Sequence, residues 1–257
     1  MQMLADAMAD GTLKPGMTIL EATQATLAPP SRSSGRRFGY EVELVVPEVT
    51  SDAKCRDMER SAQNCGKVPG HTTERTLELA YGLHTDHPGV YFLSDQYTNL
   101  SNPKAHYLST APEIVRDCPS VTHVVSAQGS FGTLGGLARY LRERAMPVEL
   151  YAVVAKPGVT TIFGVKEVTA MTPLVDDSVL AGRTMVDASA ASHGIHAGLS
   201  LGYHLGPSAG AVLAAAIKLT ARIPQGSQVV CVLADGGVKY PSSQLYPPFD
   251  AGGLEHR

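Results

Sequence analysis

Apolar and polar residues follow two different periods along this chain, and stretches of each kind alternate. Short apolar runs, which are typical of buried strands, predict strands at residues 18–21, 41–46, 90–93, 122–127, 149–155 and 228–234. Helical spacing of apolar residues predicts helices at residues 2–10, 73–83, 134–144, 189–199 and 209–220. The runs VELYAVVA and QVVCVLA are almost entirely apolar, which predicts central strands covered on both faces. This alternation favours an α/β fold with parallel sheets.

A loop rich in glycine and serine joins the strand predicted at 122–127 to the helix predicted at 134–144. Gly129, Ser130, Gly132 and Thr133 would place backbone N–H groups at a helix N-terminus, where the helix dipole favours an anion and small side chains let it approach. The spacing matches neither the Rossmann fingerprint nor the Walker A loop. The sequence alone therefore leaves two interpretations open, a phosphate cradle and an ordinary tight connection.

Composition excludes several classes of protein. The formal net charge of −3 argues against a dedicated nucleic-acid binder. No apolar run reaches the length of a membrane span, and the first ten residues lack the basic start of a signal peptide, so we expect a cytoplasmic protein. The four cysteines show no CxxC spacing. The pairs His84/His87 and His193/His196 lack a third ligand beside them, so no metal site is predicted.

Five segments besides the glycine-rich loop carry a pattern: LKPGMTILEAT at 13–23, DQYTNLSNPKAHY at 95–107, TAPEIVR at 110–116, GPSAGA at 206–211 and ADGGVKY at 234–240. In this order they resemble segments of the cysteine synthase group of pyridoxal-phosphate (PLP) enzymes, which have the tryptophan-synthase-β-like fold, or fold type II. The resemblance implies a two-lobed, three-layer α/β/α architecture with mostly parallel sheets. It also implies a small movable lobe at 24–107 and a large lobe, formed by 1–23 and 108–257, that carries the phosphate loop.

The resemblance also implies which residues contact a cofactor and a substrate. The implied cofactor residues, which hold the phosphate, the pyridine nitrogen or the far side of the PLP ring, are Gly129, Ser130, Gly132, Thr133, Ser208 and Asp235. The implied substrate residues are Thr23, Gln24, Gln96 and Lys166, together with Asn99 beside Gln96. Each has a simpler interpretation as well: Ser208 as a helix N-cap, Gln96 and Asn99 as turn residues, and Lys166 as an exposed lysine.

Two parts of the family pattern are not matched. The resemblance places the Schiff-base lysine, which both tethers PLP and moves the substrate proton, a few residues before Met1. We therefore expect a chain that is N-terminally truncated relative to the family, with Lys166 as the candidate replacement for that lysine. Where the family has Thr-Ser-Gly-Asn-Thr-Gly, this chain has TQATLA at 23–28, and alanine and leucine do not readily adopt the conformations that glycine supplies.

Three hypotheses about function follow. The first is a diverged enzyme that acts on a small phosphorylated or carboxylated anion without a covalent link to PLP. The second is PLP-dependent β-replacement of the cysteine synthase type, with the lysine absent from this chain or replaced. The third is a pseudoenzyme that regulates a partner. We further expect an exposed apolar sheet edge, because the resemblance assigns strands to the segment before Met1, and a homodimer that covers this edge.

Overall fold

The computed structural model describes residues 1–22, 35, 37–48, 64–68, 73–158, 162–167 and 172–240. Thr23, Gln24 and the rest of the TQATLA segment lie outside the described residues. The chain divides into two compact units, Met1–Ala105 and His106–Arg257. Within the described ranges, no helix is long and apolar enough to cross a membrane.

The first unit is built on a parallel sheet of four strands in the order β3-β2-β1-β4. Its elements are helix α1 (Gln2–Ala9), strands β1 (Thr18–Ala22), β2 (Glu41–Pro47) and β3 (Asn64–Val68), helix α2 (Thr73–Asp86) and strand β4 (Tyr91–Leu93). Helix α1 covers one face of the sheet, where Leu4 and Ala7 pack on Ile19. Helix α2 covers the other face, where Ala80 packs on Leu20. Side chains of adjacent strand residues point to opposite faces, so Ile19 and Leu20 belong to separate cores.

The second unit repeats this architecture with the strand order β7-β6-β5-β8, again entirely parallel. Helix α3 (Ser101–Leu108) spans the boundary between the units, and the remaining elements are helix α4 (Thr110–Asp117), strand β5 (His123–Ala127), helix α5 (Gly132–Glu143), strands β6 (Glu149–Ala155) and β7 (Gly182–Val186), helices α6 (Ala188–Ser200) and α7 (Pro207–Thr220) and strand β8 (Val229–Val232). Helices α4 and α5 cover the face that bears Val124, and helices α6 and α7 cover the face that bears Val125. Both units are therefore three-layered.

The predicted α/β class and the parallel sheets are confirmed, and each predicted strand and helix overlaps an observed one. The prediction that QVVCVLA forms a central strand is wrong. Among the described strands, β8 pairs only with β5 and its side chains are half-buried, so it lies at a sheet edge. Strands β3 and β7 and helices α3 and α4 were not predicted.

The packing of the N-terminal residues differs from the predicted lobe division. The resemblance places residues 1–23 in the large lobe, but in the structure residues 1–22 belong to the first unit, because α1 and β1 share a hydrophobic core with Val42 and Leu44 of β2. The boundary between Ala105 and His106 lies close to the predicted one after residue 107. That residues 24–107 form a movable lobe stays a prediction.

Candidate functional site

The glycine-rich loop makes a sharp turn between β5 and α5. Phe131, immediately before the helix, has φ of 70°, in the left-handed region that residues with a side chain seldom adopt. The core holds this conformation in place, since the Phe131 ring is 2% exposed and packs with Leu134 and Ala152. The shape of the loop is thus fixed by packing within the second unit.

The first turn of α5 offers hydrogen-bond donors to a ligand. Phe131 occupies the N-cap position and has no side-chain oxygen to accept from the helix. The Gly132 N–H donates to Ser130 Oγ over a long 3.4 Å, and the Thr133 hydroxyl lies beside the same turn. Because the first N–H groups of a helix lack intrahelical partners and the dipole favours negative charge there, this N-terminus suits a phosphate.

Ser208 is the second residue of α7, and the structure rejects its interpretation as the N-cap. The N-cap is Gly206, and Pro207 begins the helix. The cap is supplied from elsewhere in the chain: the Asp235 carboxylate accepts from the N–H groups of Ser208 at 3.2 Å and Ala209 at 2.8 Å. The Ser208 side chain is thereby left for another purpose. Its hydroxyl takes no part in this cap, and the residue is 4% exposed.

Three segments converge around this hydroxyl. A Cβ added to Gly129 would lie 3.3 Å from the carbonyl oxygen of Gly164, so the glycine loop passes closely over the segment 162–167. A Cβ added to Gly164, which has φ of 82°, would lie 3.1 Å from Ser208 Cβ. The structure therefore brings the glycine-rich loop and Ser208 close together. That they bind a cofactor stays a prediction.

Asp235 lies at the same place but has a structural task. Its carboxylate is buried against Gly206, where any Cβ would come within 2.4 Å of the carboxyl carbon, and it caps α7. The resemblance implies that Asp235 is a cofactor residue. In the structure its contacts are with the backbone that holds Ser208, so it acts on the site through that serine.

Lys166 is held beside the loop by its backbone. Its N–H donates to the carbonyl of Gln128 at 2.8 Å, and its carbonyl accepts from the N–H of Ala155 at 2.8 Å. These bonds place the half-buried Lys166 next to the residue that precedes Gly129. A role for Lys166 in anion recognition or as the tethering lysine stays a prediction.

Sequence reasoning missed Gln128 itself. This residue is fully buried, its Oε1 accepts from Arg183 Nε at 3.2 Å, and its Nε2 is buried without a hydrogen-bond partner among the residues that the structure describes. A glutamine between an apolar strand and a glycine loop was the available signal. An unpartnered buried donor is costly and marks this end of β5 as a polar site within the second unit.

In the first unit, two predicted substrate residues have different surroundings. The Asn99 side chain is used in local structure, because its Nδ2 donates to the Ser94 carbonyl at 3.0 Å and its Oδ1 accepts from the Ser101 N–H at 2.9 Å. This matches its interpretation as a turn residue. The Gln96 amide instead donates to Glu21 Oε1 at 3.4 Å. Gln96 is thus oriented by a carboxyl group rather than by the turn.

Glu21, which sequence reasoning also missed, lies near the end of β1 and is 3% exposed. Its carboxyl group accepts from the Ser94 hydroxyl and from Gln96. Burial, reinforced by the neighbouring Asp95 carboxylate, raises the pKa of Glu21 from its ordinary value of 4.5 to about 7, against the opposing effect of the two hydrogen bonds. Glu21 stands in an otherwise apolar strand, and nothing in that pattern indicated that its carboxyl group would be buried.

The histidines considered as metal ligands do not gather further ligands in the described ranges, where no three His, Cys, Asp or Glu side chains are close enough to hold a metal ion. Cys231 packs in the core of the second unit, and burial raises the pKa of its thiol. A packed Cys231 agrees with its place in an apolar strand.

The profile of the pyridoxal-phosphate dependent enzyme family matches residues 1–235. The chain belongs to this family. Cystathionine beta-synthase of Apis mellifera is 30% identical over 254 residues, which are 91% of this chain and 50% of that protein. Cysteine synthase B of Salmonella typhimurium is 29% identical over 256 residues, covering 96% of this chain and 82% of that protein.

Solved structures of family members agree with this assignment. The crystal structure of O-acetyl serine sulfhydrylase isoform 3 from Entamoeba histolytica matches with a TM-score of 0.87 and 29% identity, over 95% of this chain and 76% of that one. The resemblance to cysteine synthases and the fold type II architecture are therefore confirmed. The chain spans half the length of the cystathionine beta-synthase and about four fifths of the cysteine synthase.

Proposed function

We propose that the second unit binds PLP, with its phosphate on the loop Gly129–Thr133 and its pyridine nitrogen at Ser208, and that the protein catalyses β-replacement on an activated serine. The observation that carries the proposal is the position of Ser208, which is 4% exposed and packs against Gly164, whose carbonyl oxygen lies next to Gly129 of the glycine-rich loop. Polar side chains in such enclosed places are usually hydrogen-bonded. A ring nitrogen at this point would accept a hydrogen bond from the Ser208 hydroxyl.

The residues present fit the two polar ends of PLP. The first turn of α5 and the Thr133 hydroxyl supply donors for a phosphate, and Ser208 supplies a hydroxyl at the second point. When bound, PLP supplies an electron sink for a carbanion at the substrate α-carbon. The chain's own contribution is to bind and orient the group and to determine whether a neutral or a charged side chain faces its ring nitrogen.

That choice bears on the type of reaction. Asp235 is the nearby carboxylate, but its oxygens already accept from the N–H groups of Ser208 and Ala209. The group left to meet the nitrogen is a neutral hydroxyl, which does not stabilise a fully protonated pyridinium ring. A weaker electron sink favours elimination and β-replacement over transamination. The names of the relatives, cysteine synthase and O-acetyl serine sulfhydrylase, support the same class of reaction.

Binding is the first test. The purified chain is titrated with PLP, and binding is followed by visible absorption and by quenching of tyrosine fluorescence. Ser208→Ala should weaken binding about tenfold, the loss expected for one buried hydrogen bond, whereas Ser200→Ala, at an exposed serine of α6, should leave affinity unchanged. Gly132→Asp should abolish binding, because it sets a carboxylate against the phosphate. Equal affinity in wild type and Gly132→Asp would reject the site.

Turnover is the second test. O-acetyl-L-serine and sulfide are supplied to the PLP-loaded protein, and cysteine and acetate are measured. Cysteine formation that is lost in Gly132→Asp supports β-replacement. Bound PLP without any product would exclude this substrate pair, while absence of both binding and turnover would favour the pseudoenzyme hypothesis.

The manner in which PLP is held separates the remaining hypotheses. Borohydride reduction followed by peptide mass spectrometry reveals any lysine covalently attached to PLP. An adduct on Lys166 would assign it the tethering role. Saturable binding without an adduct would favour a diverged enzyme that acts on small phosphorylated or carboxylated anions without a covalent link.

A further inference from the structure

His106, on α3, contacts the first turns of two other helices, α4 and α5, one through each of its ring nitrogens. Its Nδ1 lies 2.9 Å from the hydroxyl oxygen of Thr110, at the start of α4. Its Nε2 lies 3.3 Å from the hydroxyl oxygen of Thr133, in the first turn of α5. All three residues belong to the second unit. Each nitrogen therefore faces a group that can either donate or accept.

The protonation state of His106 limits what these contacts can be. Burial lowers the pKa of the His106 imidazole below its ordinary value, which favours the neutral ring at physiological pH. A neutral imidazole has one N–H donor and one acceptor nitrogen. The two tautomers consequently impose opposite directions on the two threonine hydroxyls.

Only one tautomer prepares the loop for an anion. With the proton on Nε2, the ring donates to Thr133 Oγ1 and leaves the hydroxyl hydrogen of Thr133 to be donated elsewhere. With the proton on Nδ1, Thr133 must donate to Nε2, and its oxygen lone pairs are then left facing the loop. Lone pairs repel a phosphate oxygen, whereas a hydroxyl hydrogen binds it.

We propose that His106 is a positioning residue that carries its proton on Nε2 and so directs the Thr133 hydroxyl hydrogen toward a phosphate bound at Gly129–Thr133. The inference rests on the phosphate half of the proposed function. Hydrogen bonds then run in one direction, from Thr110 to His106, from His106 to Thr133 and from Thr133 to the phosphate. Such chains strengthen each member because each donor polarises the next.

Nitrogen NMR reads the tautomer directly. The protein is labelled with ¹⁵N-histidine, and two-bond nitrogen–proton correlations distinguish the protonated from the unprotonated ring nitrogen, with His106→Gln providing the assignment. Spectra are recorded alone, with inorganic phosphate and with PLP. We expect protonated Nε2 with both ligands. An imidazole protonated on Nδ1 in the phosphate-bound protein overturns the inference.

Variants measure the energetic consequence. His106→Leu keeps an apolar group of similar size but removes both contacts, and should weaken PLP binding about tenfold. His106→Gln can still donate from the Nε2 position and should remain within about threefold of wild type. In a Thr133→Val background, which lacks the hydroxyl, His106→Leu should cause little further loss. A merely structural histidine would weaken binding equally with or without that hydroxyl, which would overturn the proposal.

His123 offers a matched control. It is also a buried histidine whose Nδ1 lies 2.7 Å from a threonine hydroxyl, that of Thr122, but it begins β5 and lies at the strand end opposite the loop. His123→Leu should leave PLP affinity unchanged. If the wild-type chain bound neither phosphate nor PLP, the inference and the proposed function would both fail. Wild-type binding with equal affinity in His106→Leu would overturn the inference alone.

Discussion

The buried carboxyl group of Glu21 should make the first unit less stable as pH rises, and Glu21→Gln should remove that dependence. Glu21 is 3% exposed and accepts from Ser94 and Gln96. Burial is the main cause that raises its pKa to about 7. Glutamine has nearly the same shape and carries no charge at any pH, so it tests the charge without opening a cavity.

The sign follows from proton linkage. Between pH 4.5 and about pH 7 the folded protein keeps a proton on Glu21 that the unfolded chain has released, so the free energy of unfolding falls as pH rises through this window. At 1.36 kcal/mol for each pKa unit, the shift corresponds to about 3 kcal/mol. The contribution of the raised pKa is fully present below pH 4.5 and is lost above pH 7.

Urea unfolding at several values between pH 5 and pH 8 measures this effect. The chain contains no tryptophan and 10 tyrosines, so tyrosine fluorescence and circular dichroism are the signals. We expect Glu21→Gln to gain about 3 kcal/mol relative to wild type across this range. Glu78→Gln, at an exposed glutamate of α2, is the control and should show no such trend. A difference between wild type and Glu21→Gln that is the same at pH 5 and pH 8 would refute the reasoning.

Three further outcomes are expected. Asp235→Ala should lower the free energy of unfolding by about 2 kcal/mol, because it leaves two N–H groups at the start of α7 without their acceptor. Urea unfolding measures this loss, and a loss below about 0.5 kcal/mol, the size of an ordinary surface substitution, would contradict the capping role. Gly194→Ala should lower the free energy of unfolding by about 3 kcal/mol or prevent folding, since its Cβ would lie 1.9 Å from the carbonyl oxygen of Gly210. Gly82→Ala, in open space on α2, should instead raise the free energy of unfolding by up to about 1 kcal/mol. We also expect a homodimer, because Leu233 beside β8 is 40% exposed and Val238 is 82% exposed; light scattering after size exclusion should give twice 27.1 kDa, and a stable monomer would count against it.

The elements that could be predicted are those that bury an apolar face. Strand β6 and helix α7 were recognised because continuous burial leaves a continuous apolar pattern. Strands β3 and β7 lie at sheet edges in the described sheets and contain charged or polar residues, so they lack that pattern. Helix α3 has no fully buried residue at all. Strand β8 shows the opposite error. Its apolar sequence predicts a central strand, but an apolar sequence does not reveal how many strands pair with it.

The part of the candidate site that could be predicted is the part formed by backbone groups. Gly129 and Gly132 indicated a loop that admits an anion, and the structure shows why glycine is needed at 129, where the Gly164 carbonyl lies close by. The orientation of side chains was not predictable. That Asp235 caps α7 and thereby leaves the Ser208 hydroxyl to another partner depends on a contact between residues 27 positions apart.

The N-termini of α5 and α7 differ in whether a carboxylate of the chain caps them, and this difference favours anion binding at only one of the two. Each N-terminus attracts negative charge through its dipole and its unpaired N–H groups. At α7 the chain places its own carboxylate, that of Asp235, on those groups, which fills the position and repels a second anion. At α5 the N-cap is Phe131, which has no oxygen to offer. We therefore expect the chain itself to orient a ligand with one phosphate and one ring nitrogen, with the charged end at α5 and the neutral nitrogen at Ser208.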